Sequence, residues 1–141
     1  MKKIFIIFLF LLTGCSSNIL KCSKTNYSTI YGSEIENETY VFKNDKLIEY
    51  TSIRKITFDD NMIKYIDELF EFRKKELEII KENIKGSATY IKKENDNILY
   101  KINIYINLSD STLEKINIDK NTSVTYLRKN LIEKGYICEL E

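Results

Sequence analysis

The sequence predicts an α+β fold. An antiparallel sheet of hairpins packs on one long helix and a shorter C-terminal helix, in the order β-β-β-α-β-β-α-β. Three observations predict it. Over residues 98–108, Ile98, Tyr100, Ile102, Ile104, Ile106 and Leu108 alternate with Leu99, Lys101, Asn103, Tyr105 and Asn107, the pattern of a strand with one buried face. From Met62 the apolar period lengthens to that of a helix and holds as far as Ile84. Asn44-Asp45-Lys46 and Asn95-Asp96-Asn97 separate β-rich runs with residues that tolerate left-handed backbone and bond their own chain.

The first fourteen residues stand apart from this pattern. Lys2 and Lys3 precede an unbroken apolar run, Ile4 through Leu12, followed by Thr13-Gly14. The run is far short of the roughly 20 apolar residues that span a bilayer, and it has the three parts of an export signal. Leu12-Thr13-Gly14-Cys15 resembles the lipobox of bacterial lipoproteins. That resemblance implies cleavage before Cys15, a diacylglyceryl group on its thiol with further acylation such as palmitate, and a cell-membrane location facing the extracytoplasmic side. The expected organisation is a signal peptide over 1–14, a lipidated tether over 15–18 and one domain over 19–141. Two acyl chains anchor stably at about 0.8 kcal/mol per buried CH₂, so no basic patch is required to hold the chain.

Along the domain, a first strand is expected near Leu20–Tyr27, and Gly32-Ser33 signals a turn. The second strand, Glu36–Lys43, centres on Tyr40-Val41-Phe42. The third, Leu47–Thr57, carries Ile48, Tyr50, Ile53 and Ile56, which break a strict period of two. A bulge near Ser52–Arg54 is the expected repair. Asp59-Asp60-Asn61 offers helix N-caps. The helix turns Met62, Ile66, Leu69, Phe70, the stem of Arg73, Leu77, Ile80 and Ile84 to one face, widened by Ile63, Tyr65, Phe72 and Ile79, and Gly86 ends it. A fourth strand spans Ala88–Glu94 and the fifth Ile98–Leu108. A short helix, Ser111–Ile116, and a loop to Asn121 lead to a last helix capped by Thr122 or Ser123, with Val124, Leu127, Leu131 and Ile132 inward. Gly135 closes it before an extended segment over 136–140.

Composition excludes several activities. The chain has 141 residues with no proline and no histidine. Histidine-based acid–base pairs, Ser-His and Cys-His nucleophiles and most zinc sites are thereby removed. Loss of Lys2 and Lys3 takes Lys+Arg from 22 to 20 against 21 Asp+Glu, a net charge of about −1. Nucleic acid, which needs a concentrated basic face, is not an expected partner.

Order and spacing also carry a family resemblance. After the lipobox come Lys21-Cys22-Ser23-Lys24-Thr25, a meander through Thr39-Tyr40-Val41-Phe42-Lys43-Asn44-Asp45-Lys46-Leu47, a helix ending in Lys85-Gly86-Ser87-Ala88-Thr89-Tyr90, and a closing Glu133-Lys134-Gly135-Tyr136-Ile137-Cys138. Together these resemble the small YehR-like lipoproteins and their Firmicutes relatives, over nearly all of the mature chain. The family is one of unknown function. The resemblance implies fold and address, and no active site.

With Cys15 given to lipid, Cys22 and Cys138 remain. An even remainder in an exported domain suggests a disulfide, and two buried thiols are the alternative. No Cys-X-X-Cys spacing supports a redox role. Glu34, Glu36 and Glu38 alternate and read as a solvated acidic edge rather than a cation site. Asp59 and Asp60 with Asp67 or Glu68 are the only carboxylates considered for hydrolysis, and capping already accounts for the first two. Tyr40, Tyr50, Tyr90, Tyr100 and Tyr105 lie on strands, and the expected exposed trio for ligand binding is Lys101, Asn103 and Tyr105. The expected function is thus a non-enzymatic binding domain without cofactor or metal. It meets the membrane through Cys15 and an envelope protein or glycan through its folded part.

The address is checked by intact mass of the membrane-extracted protein. The expected species begins at Cys15 and carries lipid, and Cys15→Ala abolishes both processing and membrane retention.

Overall fold

A computed structural model describes residues 17–27, 29–105 and 122–141. Cys15, the expected signal segment, the end of the fifth expected strand and the expected helix Ser111–Ile116 lie outside the described residues. Six strands form one sheet: β1 (Ser17–Asn26), β2 (Gly32–Lys43), β3 (Lys46–Phe58), β4 (Ser87–Glu94), β5 (Asn97–Tyr105) and β6 (Ile137–Leu140). Their order across the sheet is β4-β5-β3-β2-β1-β6, and every neighbouring pair is antiparallel. Helix α1 (Ile66–Asn83) connects β3 to β4, and α2 (Val124–Glu133) precedes β6. The expected α+β class and element order are those of the molecule. Among the described residues no helix is long and apolar enough to cross a membrane.

Turn chemistry sets the register. Asn44 and Asp45, at φ of 51° and 58°, close β2 and β3 as a two-residue hairpin with both residues left-handed. The β1–β2 turn is held by Thr29, whose hydroxyl donates to the Gly32 carbonyl at 2.8 Å. Gly32 has φ +146°, and a Cβ there would sit 2.2 Å from the Thr57 carbonyl, so only glycine fits beside β3.

Several boundaries differ from expectation for identifiable reasons. Strand β1 takes in Ser17 and Asn18, expected as tether, because they continue the ladder opposite Lys43 and Phe42. Strand β2 begins at Gly32, since residues 32–35 pair with 55–58 of β3. The bulge is not at Ser52–Arg54. Val41 pairs with Glu49 and Phe42 with Leu47, which leaves Ile48 as the extra residue. Beyond it β3 alternates strictly: Tyr50, Ser52, Arg54, Ile56 and Phe58 face inward, and Ile53 lies on the outer face. Asp59-Asp60-Asn61 does not cap α1. The helix is entered through a 3₁₀ turn, Ile63–Tyr65, with no side-chain cap, and Asp67 and Glu68 supply negative charge in its first turn. For α2, Ser123 is the cap and accepts from the Tyr126 amide at 3.2 Å.

Both helices cover one face of the sheet. Leu127 and Leu131 of α2 pack on Leu20, Cys22, Tyr40, Phe42 and Cys138. Ile66, Leu69 and Leu77 of α1 pack on Ile56, Phe58, Ile98 and Tyr100. The apolar stripe of α1 is narrower than expected: Phe72 and Ile79 are 55% and 57% exposed, and Ile132 of α2 is likewise exposed. Each helix covers the strands at its own side, leaving the middle strands β2 and β3 less covered between them.

Cys22 and Cys138 face each other directly across the β1–β6 pair, with Cα atoms 4.1 Å apart, and form a disulfide. It joins residues 116 apart in sequence and fixes a four-residue edge strand. Such a closure stabilises by about 2–4 kcal/mol.

Truncation separates core from surface. Phe42→Ala should cost about 3–5 kcal/mol in urea unfolding, whereas Ile79→Ala should stay within about 0.5 kcal/mol.

Candidate functional site

Between the two apolar clusters the inner face of the sheet turns polar. Strand β2 contributes Glu34, Glu36 and Glu38, every second residue and therefore one face. They are not a solvated edge. Strand β2 lies between β1 and β3, and Glu36 and Glu38 are only 7% and 4% exposed. The register sets Glu36 opposite Arg54 and Glu38 opposite Ser52. Arg54 lies among all three carboxylates, 3.6 Å from Glu34, 3.1 Å from Glu36 and 3.6 Å from Glu38. A cation fills the place that a bound ion would need.

Further donors reach the same carboxylates from distant elements. Asn26 Nδ2 donates to Glu36 Oε1 at 2.9 Å, and the Tyr136 hydroxyl donates to Glu36 Oε2 at 2.7 Å. Ser52 Oγ donates to Glu38 Oε1 at 3.1 Å. Lys24 supports Tyr136: its ammonium lies 5.5 Å from the ring centroid and donates to the Lys134 carbonyl at 2.9 Å. From α1, Arg73 stands 5.7 Å over the Tyr100 ring and donates to Glu76 at 2.6 Å.

Burial dominates the proton affinities. It raises the Glu38 carboxyl above its ordinary value against the opposing pull of the Tyr50 hydroxyl, Arg54 and Ser52. Burial likewise raises the Tyr40 and Tyr50 phenols, with Glu38 adding to the effect. The Tyr136 phenol is raised by burial and by donating to Glu36. These phenols stay protonated, and those of Tyr50 and Tyr136 donate to Glu38 and Glu36.

Two adjoining cavities open on the cluster. One of about 490 Å³ has a polar end formed by Tyr50, Ser52, Arg54, Arg73, Glu76 and Tyr100. Its apolar wall is Leu77, Ile79, Ile80 and Ile102. The second, of about 350 Å³, lies under the β1–β2 turn, where Tyr31, Glu34 and Arg73 stand over Ile56 and Leu69. Arg73 borders both. Such volumes and mixed linings are those of small-ligand sites.

The expected trio is only partly exposed. Lys101, Asn103 and Tyr105 lie on the outer face of β5, but Asn103 is buried and its amide donates to Glu49 and Thr51 at 2.7 Å each. Tyr90 and Tyr105 project outward, whereas Tyr40, Tyr50 and Tyr100 are inner-face residues. Asp59, Asp60, Asp67 and Glu68 are all exposed, and Asp67 is paired with Lys93. Among the described residues no group of three or more His, Cys, Asp or Glu is arranged to hold a metal.

Solution structures of two bacterial proteins share this architecture. YehR of E. coli superposes with a TM-score of 0.59, at 21% identity over 89% of this chain and 92% of that one. The chain has the YehR fold. A protein of Streptococcus pneumoniae TIGR4 superposes with a TM-score of 0.55, at 17% identity over 86% of this chain and 85% of that one. No protein-family model and no curated protein matches the sequence. The likeness to YehR drawn from the order of motifs is thus met in the fold.

Arg54, Arg73, Ser52, Asn26 and Tyr136 are the site residues that sequence reasoning passed over. Two signals pointed to three of them. Ser52 and Arg54 fall in the period-two row of Tyr50, Ile56 and Phe58, and Arg73 falls on the apolar stripe of α1.

The buried acid provides a pH test. The folded state binds the Glu38 proton more tightly than the unfolded chain does. Its stabilising contribution is therefore full below the ordinary value of 4.5 and is lost as pH rises through the higher folded value. The stability of Glu38→Gln relative to wild type should grow in the variant's favour as pH rises above 4.5. A difference that is flat with pH would remove the assignment.

Proposed function

We propose that the protein is a lipid-anchored domain of the cell envelope that binds a small polar ligand in the crevice between α1 and the sheet. The supporting observation is the ion cluster of Arg54 and Arg73 with Glu34, Glu36, Glu38 and Glu76, bordering two adjoining cavities. Charged groups at this depth are poor sources of stability. A buried ion pair is often no better than apolar residues of the same volume. Their concentration on the floor of a crevice is the ordinary mark of a binding site.

The role is binding rather than catalysis. The chain contains no histidine, and every carboxylate of the cluster sits within reach of a guanidinium. A carboxylate so engaged is held ready to orient a ligand. The leader and Cys15 supply the address, and the ligand is expected among the components of the envelope.

Filling the crevice is the test. A soluble fraction of the organism's own envelope should raise the melting temperature of the wild-type lipoprotein by about 10 °C, the shift expected near a hundredfold excess over Kd. Ile80→Trp, which fills the larger cavity, should abolish the rise, and Tyr105→Ala on the outer face should leave it intact. The opposite pattern would move the site to the outer face of the sheet.

A further inference from the structure

The hydrogen-bonding groups left open in the crevice define what it can hold. Glu34 and Arg73 both border the smaller cavity, and Glu34 Oε1 and Arg73 Nε are buried and make no hydrogen bond. The nearest charge to that oxygen is Arg54, 3.6 Å away and beyond hydrogen-bond reach. One of these atoms can only accept and the other can only donate. Each costs free energy while it stays unpaired.

Charge narrows the ligand further. The exposed charges of the cluster are Glu76, Arg54 and Arg73, with side chains 41%, 33% and 31% open. A cationic ligand would meet two guanidinium groups there against the single carboxylate of Glu76, which Arg73 already holds. An anionic ligand would enter beside four glutamates, at positions 34, 36, 38 and 76, which outnumber the arginines. A hydroxyl group carries no charge and both donates and accepts, so the hydroxyls of one ring can serve an acceptor at Glu34 and a donor at Arg73. The surrounding Tyr31, Ile56 and Leu69 offer apolar surface to the C–H faces of a ring. The larger cavity shares Arg73 with the smaller one and repeats the combination, with polar Ser52, Tyr50 and Tyr100 beside apolar Ile80 and Ile102.

We propose that the ligand is an uncharged saccharide of at least two rings, one ring in each cavity, with Glu34 Oε1 and Arg73 Nε bridged by its hydroxyls. This rests on the crevice being the binding site. Arg73 is the shared contact between the two rings, and its pairing with Glu76 holds it across the junction.

The test uses the full lipidated protein in phospholipid nanodiscs, free of sugar detergents. The probes are three neutral tetrasaccharides (maltotetraose, cellotetraose and tetra-N-acetylchitotetraose), cationic glucosamine tetramer and anionic galacturonate tetramer, each titrated calorimetrically. At least one neutral probe should bind. Arg73→Lys, which keeps the charge and removes Nε, and Glu34→Gln should each weaken it about tenfold, the loss expected for one hydrogen bond to a charged group. Tyr105→Ala should bind as wild type. An intact disulfide and an unchanged circular dichroism spectrum establish that the variants are folded, and Ile80→Trp supplies an independent block. Binding of only a charged tetramer, weakened by the same substitutions, would overturn the neutral class and leave the crevice in place. Neutral binding indifferent to both Arg73→Lys and Glu34→Gln would overturn the site. No binding by any neutral probe would overturn the saccharide assignment, and the melting experiment would then decide separately on the crevice.

Discussion

The position of one guanidinium group constrains the rest of the molecule. Arg54 projects from the middle of the sheet into three carboxylates of the neighbouring strand. Without it, Glu36 and Glu38 would be buried carboxylates with too few donors, a cost of several kcal/mol for each ion. With it, the inner face tolerates a polar band but cannot be a continuous core. The apolar residues divide into a cluster under α2 and a cluster under α1. The helices accordingly pack to either side of the band instead of over it. The crevice is a consequence of that division, because neither helix has an apolar stripe to lay over charged groups.

The disulfide acts on the same band from the edge of the sheet. Strand β6 has four residues and one strand neighbour, β1. So short an edge strand is weakly held by its ladder alone. The Cys22–Cys138 bond secures it at the residue facing β1, and Cys22 in turn lies opposite Glu38. Two residues before Cys138, Tyr136 extends over β1 and donates to Glu36. The covalent link therefore holds a hydrogen-bond donor of the ion cluster in place. The cluster draws together residues from β1, β2, β3, α1 and the C-terminal segment, so its geometry depends on the whole fold.

Much of the fold was legible in the sequence, because its signals are local. Asn44-Asp45 specifies a hairpin by backbone preference alone. The alternation from Ile98 onward and the helical period from Ile66 to Leu77 each follow from a single element. The site was not legible, because its meaning depends on which strand lies where. Glu34, Glu36 and Glu38 suit an edge strand, and only the strand order turns them inward. Arg54 enters the sequence reading only as the end of an expected bulge. A bulge near Ser52–Arg54 would turn Ile53 inward, but the bulge lies at Ile48, and beyond it polar Ser52 and Arg54 are the inner residues and Ile53 the outer one. A buried charge is a poor guess from sequence, since burial of charge is normally unfavourable. Its partners lie as far away as Tyr136, a hundred positions from Glu36.

The path of β1 relates the crevice to the proposed anchor. The strand starts at Ser17, two residues after Cys15, and runs ten residues to Asn26. At about 3.3 Å per residue that is about 30 Å along the sheet. Asn26 binds Glu36, and the turn beyond it, at Thr29–Gly32, roofs the smaller cavity beside Glu34 and Arg73. The polar band thus lies toward the end of β1 remote from the tether, while the Asn44-Asp45 hairpin and the start of β1 share the other end. In a chain held by lipid at Cys15, with only one residue between the lipidated cysteine and the first strand, the hairpin end would sit close to the bilayer. The smaller cavity would then be held away from it by most of the length of the sheet. A site so placed would face away from the bilayer.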